Sequence, residues 1–245
     1  MSSVWQVAEV VGGTHETDTA RTIRLRVEGL RGHLAGQHID IRLTADDGYT
    51  AIRSYSVASA GLDGHLEITV DELPDGEVSP YLVRNLSVGD QLEIRGPVGG
   101  WFVWRPSRVN PVQLIGGGSG VVPLMSMIRA HQASRNVSPF RLLYSLKSPE
   151  TLLYRDELRR LDRESAKLSV DYVFTRSTPE GWPSVPARLT SDTLLATIFP
   201  IREIPDVFVC GQTVFVEAVA DWLVNAGYPA ESIRTERFGG TGGIQ

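Results

Sequence analysis

The chain has 245 residues, 42% of them hydrophobic and 22% charged, which describes an ordinary soluble globular protein and argues against disorder. Its formal net charge is −5 and no Lys/Arg run interrupts it, so nucleic acid and anionic membrane are poor partners and small molecules or another protein remain. One cysteine, Cys210, rules out an intrachain disulfide and any zinc or iron–sulfur site built from several thiolates of this chain.

The first residues, Met1 to Val10, lack a basic patch followed by an apolar run, and no stretch approaches the ~18 apolar residues a spanning helix needs. A cytoplasmic protein without a signal peptide is the expectation.

From Val4 to about Phe102 the chain consists of short alternating runs. Thr22–Val27, His38–Leu43, His65–Val70 and Gln91–Ile94 each set apolar and polar residues on opposite faces of a strand. Turn signals separate them at Gly12-Gly13, Asp46-Asp-Gly48, Leu62-Asp-Gly64, Pro74-Asp-Gly76 and Val88-Gly-Asp90. One helical stretch, near Ser79 to Asn85, interrupts the series. The pattern predicts a small antiparallel barrel, six-stranded, over residues 1–106.

Beyond Pro106 and Pro111 the pattern changes. Strands are predicted at Pro111–Ile115, Phe140–Tyr144, Leu168–Phe174 and Asp206–Cys210. Helices are predicted from Pro123, over Thr151–Asp162, about Thr190–Phe199 and over Thr213–Ala226. Alternation of this kind predicts an α/β parallel sheet over residues 107–245. A Gly-rich end, Gly239 to Gly243, closes the chain.

Gly116-Gly-Gly-Ser-Gly-Val-Val-Pro123 follows a predicted strand and opens a helix, the position at which an α/β sheet binds phosphate. The pattern is G-x-G-x-x-P, not the G-x-G-x-x-G of the Rossmann fingerprint. A P-loop would need Gly-Lys-Ser/Thr, and a nucleophile elbow around Ser119 would need glycine where Val121 stands. A plain flexible turn is the remaining alternative. The second strand of this half ends at Lys147 with no acid before Glu150, and the third ends in Thr175-Arg176. A hydroxyl beside a guanidinium suits a 2′-phosphate, which favours NADPH over NADH; a surface arginine without special duty is the competing reading.

In the first half, Arg53-Ser-Tyr-Ser56 puts a guanidinium, an aromatic ring and two hydroxyls on one short run. The ring suits a flat ligand and the polar groups suit phosphates, although a polar edge strand reads the same way. At this point the sequence resembles the ferredoxin–NADP reductase-like flavoproteins, over nearly its whole length and with several motifs in order. The resemblance implies that Arg53 meets the flavin pyrophosphate, that Tyr55 stacks on the isoalloxazine, and that Ser54 and Ser56 line the same site, Ser56 near N5. Gly76-Glu-Val-Ser79 is similar to a second flavin-phosphate motif, which implicates Gly76, Val78 and Ser79. Gly96-Pro-Val-Gly99 resembles the loop that closes the barrel. Gly118, Ser119 and Gly120 match the pyridine-nucleotide loop, and Thr175-Arg176 the pair for the 2′-phosphate. Cys210-Gly-Gln-Thr213 matches a motif beside the nicotinamide, in which Cys210 and Gly211 would shape the pocket; a buried core thiol is the alternative. Phe238, in Glu236-Arg-Phe238, would lie near the flavin.

The family departs from this chain in places. Plant-type members end at an aromatic residue, whereas Gly239 to Gln245 follow Phe238, and Ala187 stands where glycine usually precedes the next arginine, here Arg188. The resemblance implies FAD in preference to FMN, hydride transfer from the nicotinamide, and a separate electron-acceptor protein such as a ferredoxin or an oxygenase. Tyr55, Ser56 and Cys210 are the residues expected at the reacting rings, no metal is expected, and the assembly is expected to be a monomer or weak dimer. A flavin reductase releasing reduced flavin and a non-catalytic flavin-binding subunit are the alternatives. No His–carboxylate or Ser–His constellation is evident, which agrees with chemistry carried by cofactors.

Overall fold

The computed structural model describes residues 4–61 and 64–239. Part of the turn expected at Leu62-Asp-Gly64, residues Met1 to Ser3, and the Gly-rich end from Gly240 onward lie outside the described residues. The chain divides into two compact units: Met1–Pro106 with Met125–Arg135, and Ser107–Leu124 with Asn136–Gln245.

The first unit is built on six antiparallel strands, β1 (Gln6–His15), β2 (Ala20–Val27), β3 (His38–Thr44), β4 (Thr50–Ser56), β5 (His65–Asp71) and β6 (Gln91–Val98). Their order is β4-β3-β6-β1-β2-β5. The two outer strands meet: Val57, just past β4, bridges to Ile68 of β5, and the Ala58 N–H donates to the Glu67 carbonyl at 2.7 Å. This bridge joins the two edges of the sheet at one point, and the sheet closes there as a barrel. Alternate residues from every strand fill it, among them Ile23 and Leu25, Ile39 and Ile41, Leu66 and Ile68, and Leu92 and Ile94, all buried.

One expected turn is not a turn. Gly12-Gly13 lies within β1, where the pairing slips from Val10↔Leu25 to Gly12↔Arg24. The extra residue of this bulge is Val11, the two glycines pair regularly just after it, and a Cβ on Gly13 would come within 2.9 Å of the Thr22 carbonyl oxygen. The chain reverses later, where the Glu16 and Thr17 N–H groups donate to the Ala20 carbonyl. The helical stretch expected near Ser79 is a π-helical turn over Tyr81–Asn85 that buries Leu82 and Val83.

The second unit holds five parallel strands, β7 (Val112–Gly117), β8 (Phe140–Leu146), β9 (Leu168–Phe174), β10 (Asp206–Gln212) and β11 (Ile233–Phe238). Between them in the chain come α1 (Val121–Ala133), which from Met125 onward belongs to the first unit, and α2 (Arg155–Glu164), α3 (Ser191–Thr197) and α4 (Thr213–Asn225) of the second. The order is β11-β10-β7-β8-β9. The chain steps outward from β7 through β8 to β9, then crosses to β10 and continues the other way. β7 and β10 therefore flank a topological switch point, where their carboxyl ends leave a crevice. The helix expected from Thr151 begins at Arg155, because the buried Tyr154 takes a left-handed conformation (φ 56°, ψ 30°) that an α-helix cannot include.

Ile68 contacts both the barrel interior and the closing bridge. Ile68→Ala is expected to lower the stability of the protein by about 2–5 kcal/mol in urea titrations; a change well under 1 kcal/mol would mean that closure does not depend on this side chain.

Candidate functional site

On β4 the side chains alternate, so Ala51, Arg53 and Tyr55 share one face while Ile52, Ser54 and Ser56 share the other. The expected four-residue cluster is thus split. Ser54 donates to Asp40 Oδ1 at 2.6 Å, and Asp40 Oδ2 accepts from Arg95 Nε (3.0 Å) and Nη2 (2.6 Å). Burial alone would raise the Asp40 carboxyl, but the Ser54 and Arg95 hydrogen bonds outweigh it and hold the group below the usual carboxylate range. Ser54 is therefore committed to a barrel-surface network, away from Arg53 and Tyr55. Tyr55 is half-buried against the barrel core. Its burial pushes the phenol far above its ordinary value, with Arg53 opposing, so the ring is neutral.

Arg53 is exposed and anchored at two points: Nη1 donates to the Ile52 carbonyl at 2.8 Å, and Nη2 to Glu77 Oε2 at 2.5 Å. Glu77 Oε1 accepts from the Tyr49 hydroxyl at 2.7 Å. Arg53 and Gly76–Ser79, expected to serve one ligand, are hence brought together through Glu77. Neither Glu77 nor Tyr49 was singled out by the sequence pattern, since Glu77 is a variable position of G-x-x-S. An acid inside a phosphate motif was the available signal.

The Gly76–Ser79 turn is tight. Its Gly76 N–H donates to the Leu73 carbonyl (2.8 Å), and Ser79 Oγ accepts the Leu73 N–H (3.0 Å). A Cβ on Gly76 would stand 2.8 Å from Ser79 Oγ, so a side chain there would push against the hydroxyl that holds the turn. Val78 sends its side chain into the barrel core, where it is 1% exposed, and has only its backbone to offer a ligand.

In the second unit, the loop after β7 runs through a 3₁₀ turn, Gly118–Gly120, into α1. Gly118 has φ +55°, which glycine accepts without penalty. A Cβ on Gly120 would lie 2.2 Å from the Cys210 carbonyl oxygen, and one on Gly117 or Gly211 would meet the Phe215 ring at 2.7 or 2.8 Å. Gly118–Gly120 and Cys210–Gly211, distant in sequence, are brought into backbone contact at the switch point. Phe215, on the first turn of α4, packs against both glycines; only its place two residues past Thr213 could have suggested it.

Cys210 is fully buried. Burial pushes its thiol well up, and Glu236, its registered neighbour on β11, adds to the shift. A protonated, enclosed thiol is a wall and not a nucleophile. Phe238 ends β11 beside Gln212 and is half-buried.

Thr175-Arg176 continues β9. The Thr175 N–H donates to the Leu146 carbonyl and the Arg176 N–H to that of Lys147, both at 2.9 Å. Arg176 and Lys147 are both exposed at the carboxyl ends of adjacent strands. β9 stands two strands from β7, roughly 10 Å along the sheet, so this cationic edge lies apart from the glycine loop.

Among the described residues no helix is long and apolar enough to cross a membrane. Taken unit by unit, the barrel and the open parallel sheet with its glycine-lined switch point define a class, the two-domain oxidoreductases that bind a flavin and a nicotinamide dinucleotide. The family described as oxidoreductase FAD-binding domain matches residues 9–103, and that described as oxidoreductase NAD-binding domain matches residues 114–221. The chain belongs to the ferredoxin reductase-like family of NAD(P)H-dependent flavin oxidoreductases.

Flavohemoprotein A of Dictyostelium discoideum is 33% identical over 220 residues, which cover 84% of this chain and 53% of that protein. The glycine betaine monooxygenase reductase subunit of Chromohalobacter salexigens is 30% identical over 208 residues, covering 84% and 56%. The chain spans about half the length of these curated relatives. Among solved structures, the flavohem-like FAD/NAD-binding domain of nitric oxide dioxygenase from Vibrio cholerae O1 biovar El Tor superposes with a TM-score of 0.83 at 25% identity, covering 96% of this chain and 99% of that one.

Gly120→Ala has no room for its methyl group. The variant is expected to lose about 1–3 kcal/mol of stability and to bind a nicotinamide dinucleotide at least about tenfold more weakly by calorimetry; unchanged binding would remove this loop from the site.

Proposed function

We propose that the chain is the reductase module of an electron-transfer system, taking reducing equivalents from NADPH through FAD to a separate acceptor protein. The observation that carries this reading is the glycine-lined contact between the β7 loop and Cys210–Gly211, in a chain that also bears the Arg53–Tyr55 strand. The two cradles suit different halves of the chemistry. Residues 1–106 would hold FAD and residues 107–245 the dinucleotide, in line with the matched regions at 9–103 and 114–221.

The residues fit these groups. Gly117, Gly118 and Gly120 leave the backbone bare at a helix start, where N–H groups can receive a pyrophosphate. Arg53 offers an exposed guanidinium to the flavin phosphates, and Tyr55 a neutral ring to the flavin plane. When bound, nicotinamide and flavin supply hydride and electron transfer, which is the chemistry of the cofactors. The protein aligns and encloses them, and Cys210, protonated and buried, shapes the pocket without reacting.

NADPH is preferred because Arg176 and Lys147 stand exposed side by side, tied through the Lys147 carbonyl, with no carboxylate in the role of a ribose-binding acid. A separate acceptor is supported by the reductase-subunit relative.

The purified protein should be yellow and should bleach faster with NADPH than with NADH in anaerobic stopped flow; a flavin band that neither donor bleaches would end the reductase reading. Arg53→Ala is expected to weaken FAD binding by about ten- to a hundredfold in fluorescence titrations, the worth of a charge-assisted contact. Full retention would take Arg53 out of the flavin site. For Arg176→Ala the NADPH:NADH ratio of kcat/KM should fall by about tenfold or more. A ratio that stays put would refute the 2′-phosphate assignment.

A further inference from the structure

Glu77 stands in the way of the role assigned to Arg53. Its carboxylate sits on Nη2 of Arg53 at 2.5 Å and accepts from the Tyr49 hydroxyl at 2.7 Å. A phosphate that approaches the same guanidinium competes with a carboxylate already on Nη2. The Arg53–Glu77 pair is neutral in sum, so a pyrophosphate approaching it meets one attractive and one repulsive charge within a few ångströms.

The surroundings decide whether Glu77 obstructs Arg53 or steadies it. Arg53 keeps a second anchor, its 2.8 Å bond to the Ile52 carbonyl, which belongs to β4 itself and does not involve Glu77. Removing the carboxylate therefore leaves the guanidinium oriented. Tyr49, in turn, is fixed by its own backbone: its N–H donates to Asp47 Oδ1 at 3.0 Å and its carbonyl accepts the Ala45 N–H at 2.9 Å. The carboxylate has a second place to rest once Arg53 is taken. Both partners of the ion pair are nearly half exposed, at 46% and 45%, so neither must be buried or rebuilt for the exchange. Exposed pairs of this kind are weak and easily exchanged.

We infer that Glu77 sets the affinity of the flavin site for the phosphate part of its ligand, acting as a resident anion that occupies Arg53 and shifts toward Tyr49 when a phosphate arrives. The inference rests on the assignment of Arg53 to the flavin phosphates. It makes Glu77 a residue that discriminates between phosphate-bearing and phosphate-free flavins without touching the ring.

The apoprotein is titrated with FAD, FMN and riboflavin, following fluorescence. Glu77→Gln should bind FAD and FMN about two- to fivefold more tightly than the unaltered protein, and Glu77→Lys more tightly still. Riboflavin, which has no phosphate, should bind all three proteins alike. The gain for FAD should shrink as salt is raised, because the repulsion removed is exposed to solvent. Unchanged or weaker FAD binding by both variants would overturn the inference, the weaker result assigning the carboxylate to holding Arg53 in place. An equal shift for riboflavin would overturn it too, since the effect would then be structural. The underlying flavin assignment fails separately, if Arg53→Ala retains FAD in full.

Discussion

The contact between Gly120 and the Cys210 carbonyl is the constraint on which the second unit turns. A Cβ there would sit 2.2 Å from the carbonyl oxygen, so glycine is demanded by the strand opposite and not by the loop itself. That contact exists because β7 and β10 are neighbours although two strands and their connections separate them in the chain. The reversal of strand order brings the Gly118–Gly120 turn, which leads into α1, against the end of β10. Gly117, Gly211 and Phe215 extend the same packing. The dinucleotide pocket proposed here is a consequence of sheet order, with the glycines as its local condition.

The first unit solves a different problem. A closed barrel buries its apolar residues and leaves outward-facing polar groups in water, where their charges compete with one another. Asp40, buried between Ser54 and Arg95, has settled that competition by accepting from both. Arg53, exposed, has settled it only provisionally, by pairing with Glu77. An ion pair with a buried carboxylate, Asp40–Arg95 between β3 and β6, and an exposed one, Arg53–Glu77 between β4 and the Gly76–Ser79 turn, thus stand on one barrel, and burial separates them. This is why the flavin proposal attaches to Arg53 and not to Ser54, its neighbour in the motif.

Much of the fold was legible in the residues because each local pattern agreed with the final element. The alternation in His38–Leu43 and His65–Val70 became β3 and β5, and Leu168–Phe174 is β9 without correction. The failures share a cause, a tertiary contact that overruled a local signal. Gly12-Gly13 reads as a turn by composition, yet pairing with Arg24 and Ile23 holds it inside β1, just past a bulge. Thr151 reads as a helix start, yet burial of Tyr154 in a left-handed conformation delays α2 to Arg155. The side chains of Val78 and Ser54, both in motifs that suggest a ligand, go to the barrel core and to Asp40, which leaves Val78 its backbone.

The sequence by itself determined the two kinds of architecture and, through a family resemblance, the order of the flavin and nucleotide domains. The architecture follows from periodicity and from residue types whose backbone freedom or charge is intrinsic. Tertiary structure alone decided which residues far apart in the chain come into contact: Gly120 with Cys210, Arg176 with Lys147, Arg53 with Glu77. Such pairings depend on strand order and on which face of a strand a side chain occupies, and neither is a property of any local stretch of residues.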